Sequence, residues 1–382
     1  MAGGGPDFDL TDEELRRAGS IKWVYGDGAL PAWVAEMDVR PCPAVAAALH
    51  DAVDRGDLGY PPPIGPGLSE ALAAFAAARL NWEVDPADVV QTGDVMAGIL
   101  LAVEVLCDDA PVVVPVPSYP PFLQGLPLTR RPLVTVPCVV PGDGRPELDL
   151  DAIAAAFAAG ARTLLLANPH NPLGRAFSAA ELAALAGLAD RYGARVISDE
   201  VHAPLVLPGA VHVPYATTGD PRAVTVTSAS KAFNVPGVKC AQIVASAAFD
   251  RLALGALPTV ANHGTSPLGV AASIAAYRDG GPWLDGVVEH LDERRAQFGA
   301  LLAEHLPQVS WWPMEATYLA WVDVRAVGEK PARLAMLKGN VMVNEGETFG
   351  PGLGYEGFVR VNLGTSAERL ERVVHALAAA WE

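Results

Sequence analysis

The sequence lacks the features that would place it in a membrane, on a nucleic acid or among disulfide-bonded proteins. No apolar run approaches the ~18 residues of a membrane-spanning helix, and no run of Lys and Arg forms a basic patch. The four cysteines lie far apart without C-x-x-C spacing, which argues against a zinc site or a disulfide framework. The first residues have neither the basic nor the apolar region of a signal peptide. We therefore expect a cytoplasmic protein with reduced thiols and no membrane, nucleic-acid or metal partner.

The composition is that of a globular protein with a large core. Hydrophobic residues make up 51% of the 382 positions and charged residues 19%, so the chain is long enough for one large domain or two unequal ones. The formal net charge of -17 is opposite in sign to the charge that binds a phosphate backbone or an anionic membrane.

A repeated pattern of a short apolar strand, a polar turn and a helix dominates the first two thirds of the chain. Expected helices include residues 44–55, 68–80 and 95–106, and expected strands cover 111–116, 161–167, 194–198, 222–227 and 240–245. Strands that are apolar on both faces and alternate with helices indicate a mainly parallel sheet covered by helices on each side. Two capping boxes, Thr11 to Glu14 and Ser178 to Glu181, predict where two further helices begin.

After residue 268 the pattern changes to that of a second, smaller domain. We expect a long helix over 283–306, strands near 317–324 and 358–363, and a last helix over 367–381. The chain is therefore divided into an N-terminal segment that packs with the small domain, a large domain and a small α+β C-terminal domain. The predicted bounds of these three parts are 1–45, 46–285 and 286–382.

Lysine is scarce, because the chain has 5 Lys and 22 Arg. Lys231 follows the expected strand at 222–227 in a Ser-rich turn that begins at Ser228. A guanidinium stays protonated, whereas an amine among polar groups can lose its proton and form a Schiff base with an aldehyde. Taken alone, the Ser-x-Ser-Lys motif also fits a solvated loop lysine.

Polar turns follow four of the expected parallel strands. They lie at 118–119, 168–171, 199–202 and 228–231. In open α/β sheets the ligand binds outside the carboxyl ends of the strands. The four turns are therefore expected to meet at one site.

The residues of these turns suit one particular cofactor. Lys231 offers an amine for an aldehyde, and Asp199 offers a buried carboxylate for a protonated pyridine nitrogen. Asn171 can donate to a phenolate oxygen and Tyr119 can stack on a flat ring. A phosphate would bind where the turn at 93–96 opens a helix, at Val95, Met96, Ser228, Ser230 and Lys239. Together these groups describe a site for pyridoxal 5'-phosphate.

Each of these residues also has a simpler interpretation. Asp199 could be a helix cap or an exposed acid, Tyr119 a core residue, and Lys239 an exposed lysine. His170 and His202 are single histidines without metal-ligand spacing, which favours a structural or supporting role. For the cofactor site to be absent, all of these interpretations would have to hold together at the strand ends of one sheet.

The chain resembles the fold-type I pyridoxal-phosphate enzymes and, within them, the MalY/PatB group of cystathionine beta-lyase-like C–S lyases. The resemblance runs over nearly the whole chain. It rests on residues 30–38 (LPAWVAEMD), 59–60 (GY), 168–174 (NPHNPLG), 198–202 (SDEVH), 228–234 (SASKAFN), 315–319 (EATYL) and 358–362 (FVRVN). It implies an α/β fold in which a large aminotransferase class I/II-like domain with a mainly parallel sheet precedes a smaller α+β domain.

The resemblance also implies roles for individual residues. Lys231 would carry the cofactor covalently and act in catalysis with Tyr119, which stacks on the ring. Asp199 would pair with the pyridine nitrogen, with Asn171 and His202 supporting the ring. On the substrate side it implies a bidentate contact of Arg360 with the carboxylate and a pocket edged by residues 35–38, including Ala35, Glu36 and also Asn171. Tyr60 would reach the phosphate of the neighbouring subunit's cofactor, which implies a homodimer with shared sites.

The implied reaction is β-elimination from cystathionine or another cysteine S-conjugate to a thiol, pyruvate and ammonia. The same residues would serve an aminotransferase, and a third alternative is a regulatory role through a protein partner. Two segments depart from the family pattern and leave the leaving group open. They are 343–350, which is more acidic than expected, and 262–266.

Overall fold

The computed structural model describes residues 5–26, 28–62, 67–142, 144–258, 264–328 and 330–381 of the chain. Of the departing segment at 262–266, positions 262 and 263 lie outside these described residues. Across the ranges above, no helix combines the length and the apolar character needed to cross a membrane.

Helices and short strands alternate along most of the chain. The helices are α1 (Asp12–Arg17), α2 (Ile21–Val24), α3 (Pro43–Arg55), α4 (Leu68–Leu80), α5 (Val95–Leu106), α6 (Pro120–Gly125), α7 (Leu150–Ala158), α8 (Ala179–Tyr192), α9 (Ala248–Gly255), α10 (Pro267–Asp279), α11 (Gly281–His305), α12 (Pro331–Gly339) and α13 (Ala367–Trp381). The strands are β1 (Leu30–Pro31), β2 (Val89–Thr92), β3 (Val112–Val116), β4 (Leu133–Pro137), β5 (Thr163–Ala167), β6 (Arg195–Asp199), β7 (Val224–Thr227), β8 (Ala241–Ala245), β9 (Ser310–Trp311), β10 (Leu319–Asp323), β11 (Val341–Met342), β12 (Asn344–Glu345) and β13 (Phe358–Asn362).

The helix starts and ends follow the local signals in the sequence. Both predicted capping boxes form, with Thr11 before α1 and Ser178 before α8, so these two predictions are confirmed. Helix α8 ends at Gly193, whose φ of 63° is left-handed and suits glycine. The predicted bounds of α4, α5 and α13 agree with the structure.

A seven-stranded sheet forms the centre of the large domain. Its strand order is β2-β8-β7-β6-β5-β3-β4. Strand β8 is antiparallel to both of its neighbours, and the other pairings are parallel. The predicted mainly parallel sheet is thus confirmed, with one reversed strand that the apolar pattern at 240–245 did not distinguish.

Both faces of this sheet are buried, which explains why its strands are apolar throughout. Leu164 and Leu166 of β5 pack with α7 and α8 on one face, and Leu165 of the same strand packs with α5 and α6 on the other. Gly98 lets α5 approach the sheet closely, because a Cβ there would lie 3.0 Å from Val226.

The C-terminal part builds a second sheet with its own helices. Its strand order is β12-β13-β10-β9, and all of its pairings are antiparallel. The N-terminal segment joins this part, because β1 pairs in parallel with β11. Helix α11 runs unbroken through 25 residues across the expected boundary at 285/286. The domain bounds therefore stay a prediction.

The sequence pattern did not predict the edge strands β2 and β4 or the helices α7, α9, α10 and α12. Helix α10 shows the reason, because seven of its residues, from Gly269 to Tyr277, are buried. A helix enclosed by its neighbours has no polar face, so its sequence lacks the alternation of faces that periodicity detects.

Candidate active site

A cavity of about 190 Å³ lies at the carboxyl edge of the large sheet. The turns after β3, β5, β6 and β7 contribute to its wall, as expected for parallel strands that end at one edge. Of the residues predicted for the site, those that line this cavity are Ala35, Val95, Met96, Tyr119, Asn171, Asp199, His202, Ser228, Ser230, Lys231 and Lys239.

Lys231 enters the cavity from the turn after β7. Its Nζ donates a hydrogen bond to the backbone carbonyl of Ala35 at 2.9 Å. Burial, helped by the positive charge of Arg360, lowers the pKa of Lys231 to about 8, although Glu36 and Asp199 oppose this shift. A sizeable fraction of this amine is therefore neutral near physiological pH, as a nucleophile or base requires.

Asp199 is the last residue of β6 and is buried. Its Oδ1 accepts the N–H of Val201 at 3.1 Å. Burial raises the pKa of Asp199 to about 7, because the hydrogen bond from Val201 and the charge of Lys231 only partly offset the loss of water. Within the described ranges this carboxylate has no ion-pair partner, so its site is suited to a cation supplied by a ligand.

Arg360 lies in the middle of β13 with its side chain buried. Its Nη1 donates to Asn171 Oδ1 at 2.9 Å, and its Nη2 donates to the Trp33 carbonyl at 3.0 Å and to Asn344 Oδ1 at 2.7 Å. All three acceptors are uncharged, and Nε has no acceptor among the described residues. Burial lowers the pKa of Arg360 to about 10. A buried guanidinium without a carboxylate is a site for an anion.

Two ring side chains complete this part of the wall. Burial and the charges of Lys231 and Arg360 lower the pKa of His202 to about 3, so this imidazole is neutral. Tyr119 is half-buried just before α6, with its ring edge-on to Phe122 at 5.5 Å. Burial raises the pKa of Tyr119, so its hydroxyl keeps its proton.

The predicted phosphate end lies where α5 begins. Lys239 Nζ lies 2.9 Å from Asp94 Oδ2, beside the first turn of this helix. Ser228 Oγ donates to the Cys240 carbonyl at 2.7 Å and accepts the N–H of Ser230 at 3.1 Å. The Ser228 hydroxyl proton is thus committed to the protein, although Ser228 lines the cavity together with Ser230 and Lys239.

Three predicted residues are not among those that line this cavity, and one of them, Arg360, contacts its wall through Asn171. Glu36 lines a neighbouring cavity with Met37 and Asp38. Tyr60 is 90% exposed and lies in a separate surface groove with Arg278. Within a single chain, Tyr60 is therefore not part of the site.

The sequence did not reveal the contacts that hold the 33–38 loop, which supplies Ala35 to the cavity wall. Asn234 Oδ1 accepts the Met37 N–H and Asn234 Nδ2 donates to the Met37 carbonyl, both at 2.8 Å. The Tyr318 hydroxyl donates to the Ala35 carbonyl at 2.8 Å. Asn234 and Tyr318 stand inside motifs that carry the family resemblance, but no local spacing indicates that their partners lie almost 200 or more positions away.

The donor set fits pyridoxal 5'-phosphate. The amine of Lys231 suits its aldehyde, and the carboxylate of Asp199 suits a protonated ring nitrogen, which would neutralise an otherwise unpaired buried charge. The start of α5, with Lys239 beside it, suits its phosphate. Arg360 is not needed to hold the cofactor, and it is therefore available for the carboxylate of an amino acid.

Comparison with known proteins agrees with this geometry. The family described as aminotransferase class I and II matches residues 34–377. A cystathionine beta-lyase of Corynebacterium glutamicum is 37% identical, with 96% of this chain and 98% of that protein covered. The cystathionine beta-lyase PatB of Bacillus subtilis is 33% identical, with 98% and 99% covered.

A solved structure extends the likeness to three dimensions. The PLP-bound C-S lyase of Staphylococcus hominis superposes with a TM-score of 0.91 at 27% identity, and 98% of each chain is covered. The family match spans most of the chain, and relatives above 30% identity cover nearly all of it. The chain therefore belongs to the aminotransferase class I and II family.

Proposed function

We propose that the protein is a pyridoxal-phosphate-dependent carbon–sulfur lyase. It cleaves cystathionine or another cysteine S-conjugate by β-elimination, consuming one water and giving a thiol, pyruvate and ammonia. The observation that carries the proposal is a cavity lined by the Lys231 amine and the Asp199 carboxylate, with the Arg360 guanidinium bound to Asn171 of its wall; none of the three charged groups has an ion-pair partner among the described residues. The likeness to cystathionine beta-lyases over the whole chain supports the C–S lyase reaction over others of the same family.

Bound pyridoxal phosphate supplies an electron sink that stabilises negative charge at the α-carbon of an amino acid. Lys231 would hold its aldehyde and, as a free amine, would remove the proton from the α-carbon of the substrate. A pKa of about 8 makes the amine both available near neutral pH and basic enough for this transfer. Asp199 would hold the ring nitrogen protonated, because its own charge is otherwise unpaired in a buried position.

Arg360 and Asn171 would bind the substrate carboxylate. They contact each other at 2.9 Å, and a carboxylate is a stronger acceptor for the guanidinium than the amide oxygens that it contacts now. This contact fixes the α-carbon relative to Lys231. Tyr119 would cover the ring, and burial would keep its hydroxyl protonated because it raises the pKa of the phenol.

The proposal is tested with the purified protein and pyridoxal phosphate. We expect a yellow chromophore that borohydride traps on Lys231, and thiol and pyruvate in equal amounts from cystathionine. A panel of cysteine S-conjugates then identifies the preferred leaving group. Formation of a new amino acid from alanine and a keto acid, without thiol release, would establish an aminotransferase instead.

We further propose that the protein acts as a cytoplasmic homodimer in which Tyr60 contacts the cofactor phosphate of the partner subunit. Tyr60 is exposed within one chain, and so are Val53 and Leu58 on the neighbouring surface. Exposed apolar side chains grouped in this way are typical of a protein interface. The four cysteines are free thiols, which suits a reducing compartment.

Complementation between two inactive variants tests the shared site. A Tyr60→Ala subunit and a Lys231→Ala subunit together form one complete site per mixed dimer if Tyr60 acts across the interface. Random reassociation should then restore about a quarter of wild-type activity, since half of the dimers are mixed and each has one good site. Mixing without any gain of activity would show that each subunit works alone.

A further inference from the structure

The 33–38 loop is held at nearly every peptide by side chains from distant parts of the chain. Arg360 binds the Trp33 carbonyl, Asn234 binds both backbone groups of Met37, and Asn362 binds the Glu36 carbonyl at 2.7 Å. The Ala35 carbonyl between these contacts therefore has a fixed position and direction.

Two donors converge on this single oxygen. Lys231 Nζ lies 2.9 Å and the Tyr318 hydroxyl 2.8 Å from the Ala35 carbonyl oxygen. Tyr318 is fully buried, and burial raises the pKa of its phenol, so it stays protonated and donates. Its ring is also packed edge-on to His202 at 6.0 Å, on the cavity wall.

We propose that the Ala35 carbonyl and the Tyr318 hydroxyl form a docking point for the Lys231 amine whenever that amine is not joined to the cofactor, with Tyr318 as the positioning residue. The inference rests on the proposed role of Lys231 and deepens it. A released lysine has a flexible four-carbon stem, and docking returns its nitrogen to one place in the cavity.

The chemistry of the docking point favours a base. A carbonyl oxygen only accepts, so the amine bonds to it through an N–H and keeps its lone pair free for the proton of the substrate. Tyr318 donates to the same oxygen and thereby weakens it as an acceptor for the charged ammonium form. The charged or titratable groups that also face Lys231 are Arg360 and Lys239, which favour the neutral amine, Glu36 and Asp199, which oppose it, and the neutral His202.

The test uses Tyr318→Phe, which removes the hydroxyl and keeps the ring. Reductive methylation with formaldehyde modifies only neutral amines, and the chain has five lysines, so mass spectrometry can follow Lys231 alone. In the full-length protein freed of cofactor, we expect the pH at which half of Lys231 is labelled to rise by about half a pH unit to one pH unit. A shift of this size corresponds to the free energy of one neutral hydrogen bond. In the holoenzyme, kcat should fall roughly two- to fivefold at pH 7.5 and recover at higher pH, with KM unchanged.

Tyr215→Phe is the matched control, because Tyr215 is also buried and its hydroxyl bonds to Asp220 at 3.0 Å, away from the cavity. The proposal is wrong if Tyr318→Phe leaves the midpoint unchanged, or if the control moves it equally. Should Tyr318→Phe not fold, a crystal structure of the wild-type apoprotein decides, since a Lys231 nitrogen away from Ala35 would overturn the docking point. The labelling does not depend on turnover, so it tests the docking of Lys231 even if the protein has no lyase activity.

Discussion

Lys22 and Lys231 bind adjacent carbonyl groups of the 33–38 loop but have different surroundings. Lys22 Nζ lies 3.0 Å from the Glu36 carbonyl and 2.9 Å from Asp38 Oδ1, with both side chains 1% exposed. Lys231 Nζ lies 2.9 Å from the Ala35 carbonyl and, in the described part of the chain, forms no ion pair. Burial is the largest cause that lowers the pKa of each lysine. The difference is the carboxylate, which makes one lysine structural and leaves the other reactive.

Two buried arginines repeat this contrast. Arg175 is fully buried and ion-paired with Glu181 at 2.6 Å and with Glu315 at 2.5 Å. Arg360 is buried beside neutral acceptors only. Arg175 is thus neutralised within the fold, whereas Arg360, like Lys231 and Asp199, has no ion-pair partner among the described residues and is left for a ligand to neutralise. This contrast predicts opposite phenotypes for chemically similar substitutions.

The largest expected effect is that of Lys231→Ala on catalysis. Removing the proposed base and the proposed point of covalent attachment of the cofactor should lower kcat/KM for cystathionine by about a thousandfold or more. Stability should change little, because the amine lacks an ionic partner that would be left behind. Activity and thermal melting of the two proteins measure both effects. A loss of several degrees in the melting temperature of this variant would show that Lys231 is structural, as Lys22 is.

Lys22→Met should give the reverse result. The substitution leaves Asp38 buried without its lysine, with Trp23 Nε1 still donating at 2.6 Å, and should cost about 3 kcal/mol of unfolding free energy. Denaturant unfolding measures it. The double variant Lys22→Met with Asp38→Asn is the matched control, since it removes both charges and should recover part of the loss. Equal stability of the single and double variants would contradict the ion-pair interpretation.

The sequence predicted the site residues at the ends of the parallel strands better than the residues that hold the 33–38 loop. Asn171, Asp199 and Lys231 follow strands whose carboxyl ends must meet at one edge, so their proximity follows from the sheet. Tyr318 and Ala35 meet through tertiary packing across 283 positions, and no periodicity encodes such a contact. The apolar run at 33–38 similarly forms a loop whose carbonyls are bound by side chains, so its hydrophobicity alone did not reveal its role.

Arg360→Lys should have an intermediate effect, on substrate binding. Lysine keeps the charge but not the planar fork, so kcat/KM should fall about 10- to 100-fold, mainly through KM. Arg175→Lys is the matched control for a buried arginine, and it should lower stability with little change in KM. Steady-state kinetics and thermal melting of both variants test the contrast. An unchanged KM in Arg360→Lys would remove Arg360 from the substrate site.

The smallest expected effect concerns the pH dependence of Asp199 in the cofactor-free protein. In the unfolded chain the carboxyl of Asp199 has its usual pKa of 3.8, whereas burial raises this pKa to about 7 in the folded protein. The folded state therefore binds more protons in this interval, and the contribution of Asp199 to stability is lost as pH rises through it. Asp199→Asn stays neutral, so the variant should gain about 1–2 kcal/mol over wild type between pH 5 and 7. His170 and His202 titrate in both proteins and cancel in the difference.

Added pyridoxal phosphate should reverse the stability gain of Asp199→Asn, because a protonated ring nitrogen pairs with the wild-type carboxylate and has no partner in the amide. A stability difference that is independent of pH and of the cofactor would show that Asp199 is neutralised by the protein itself.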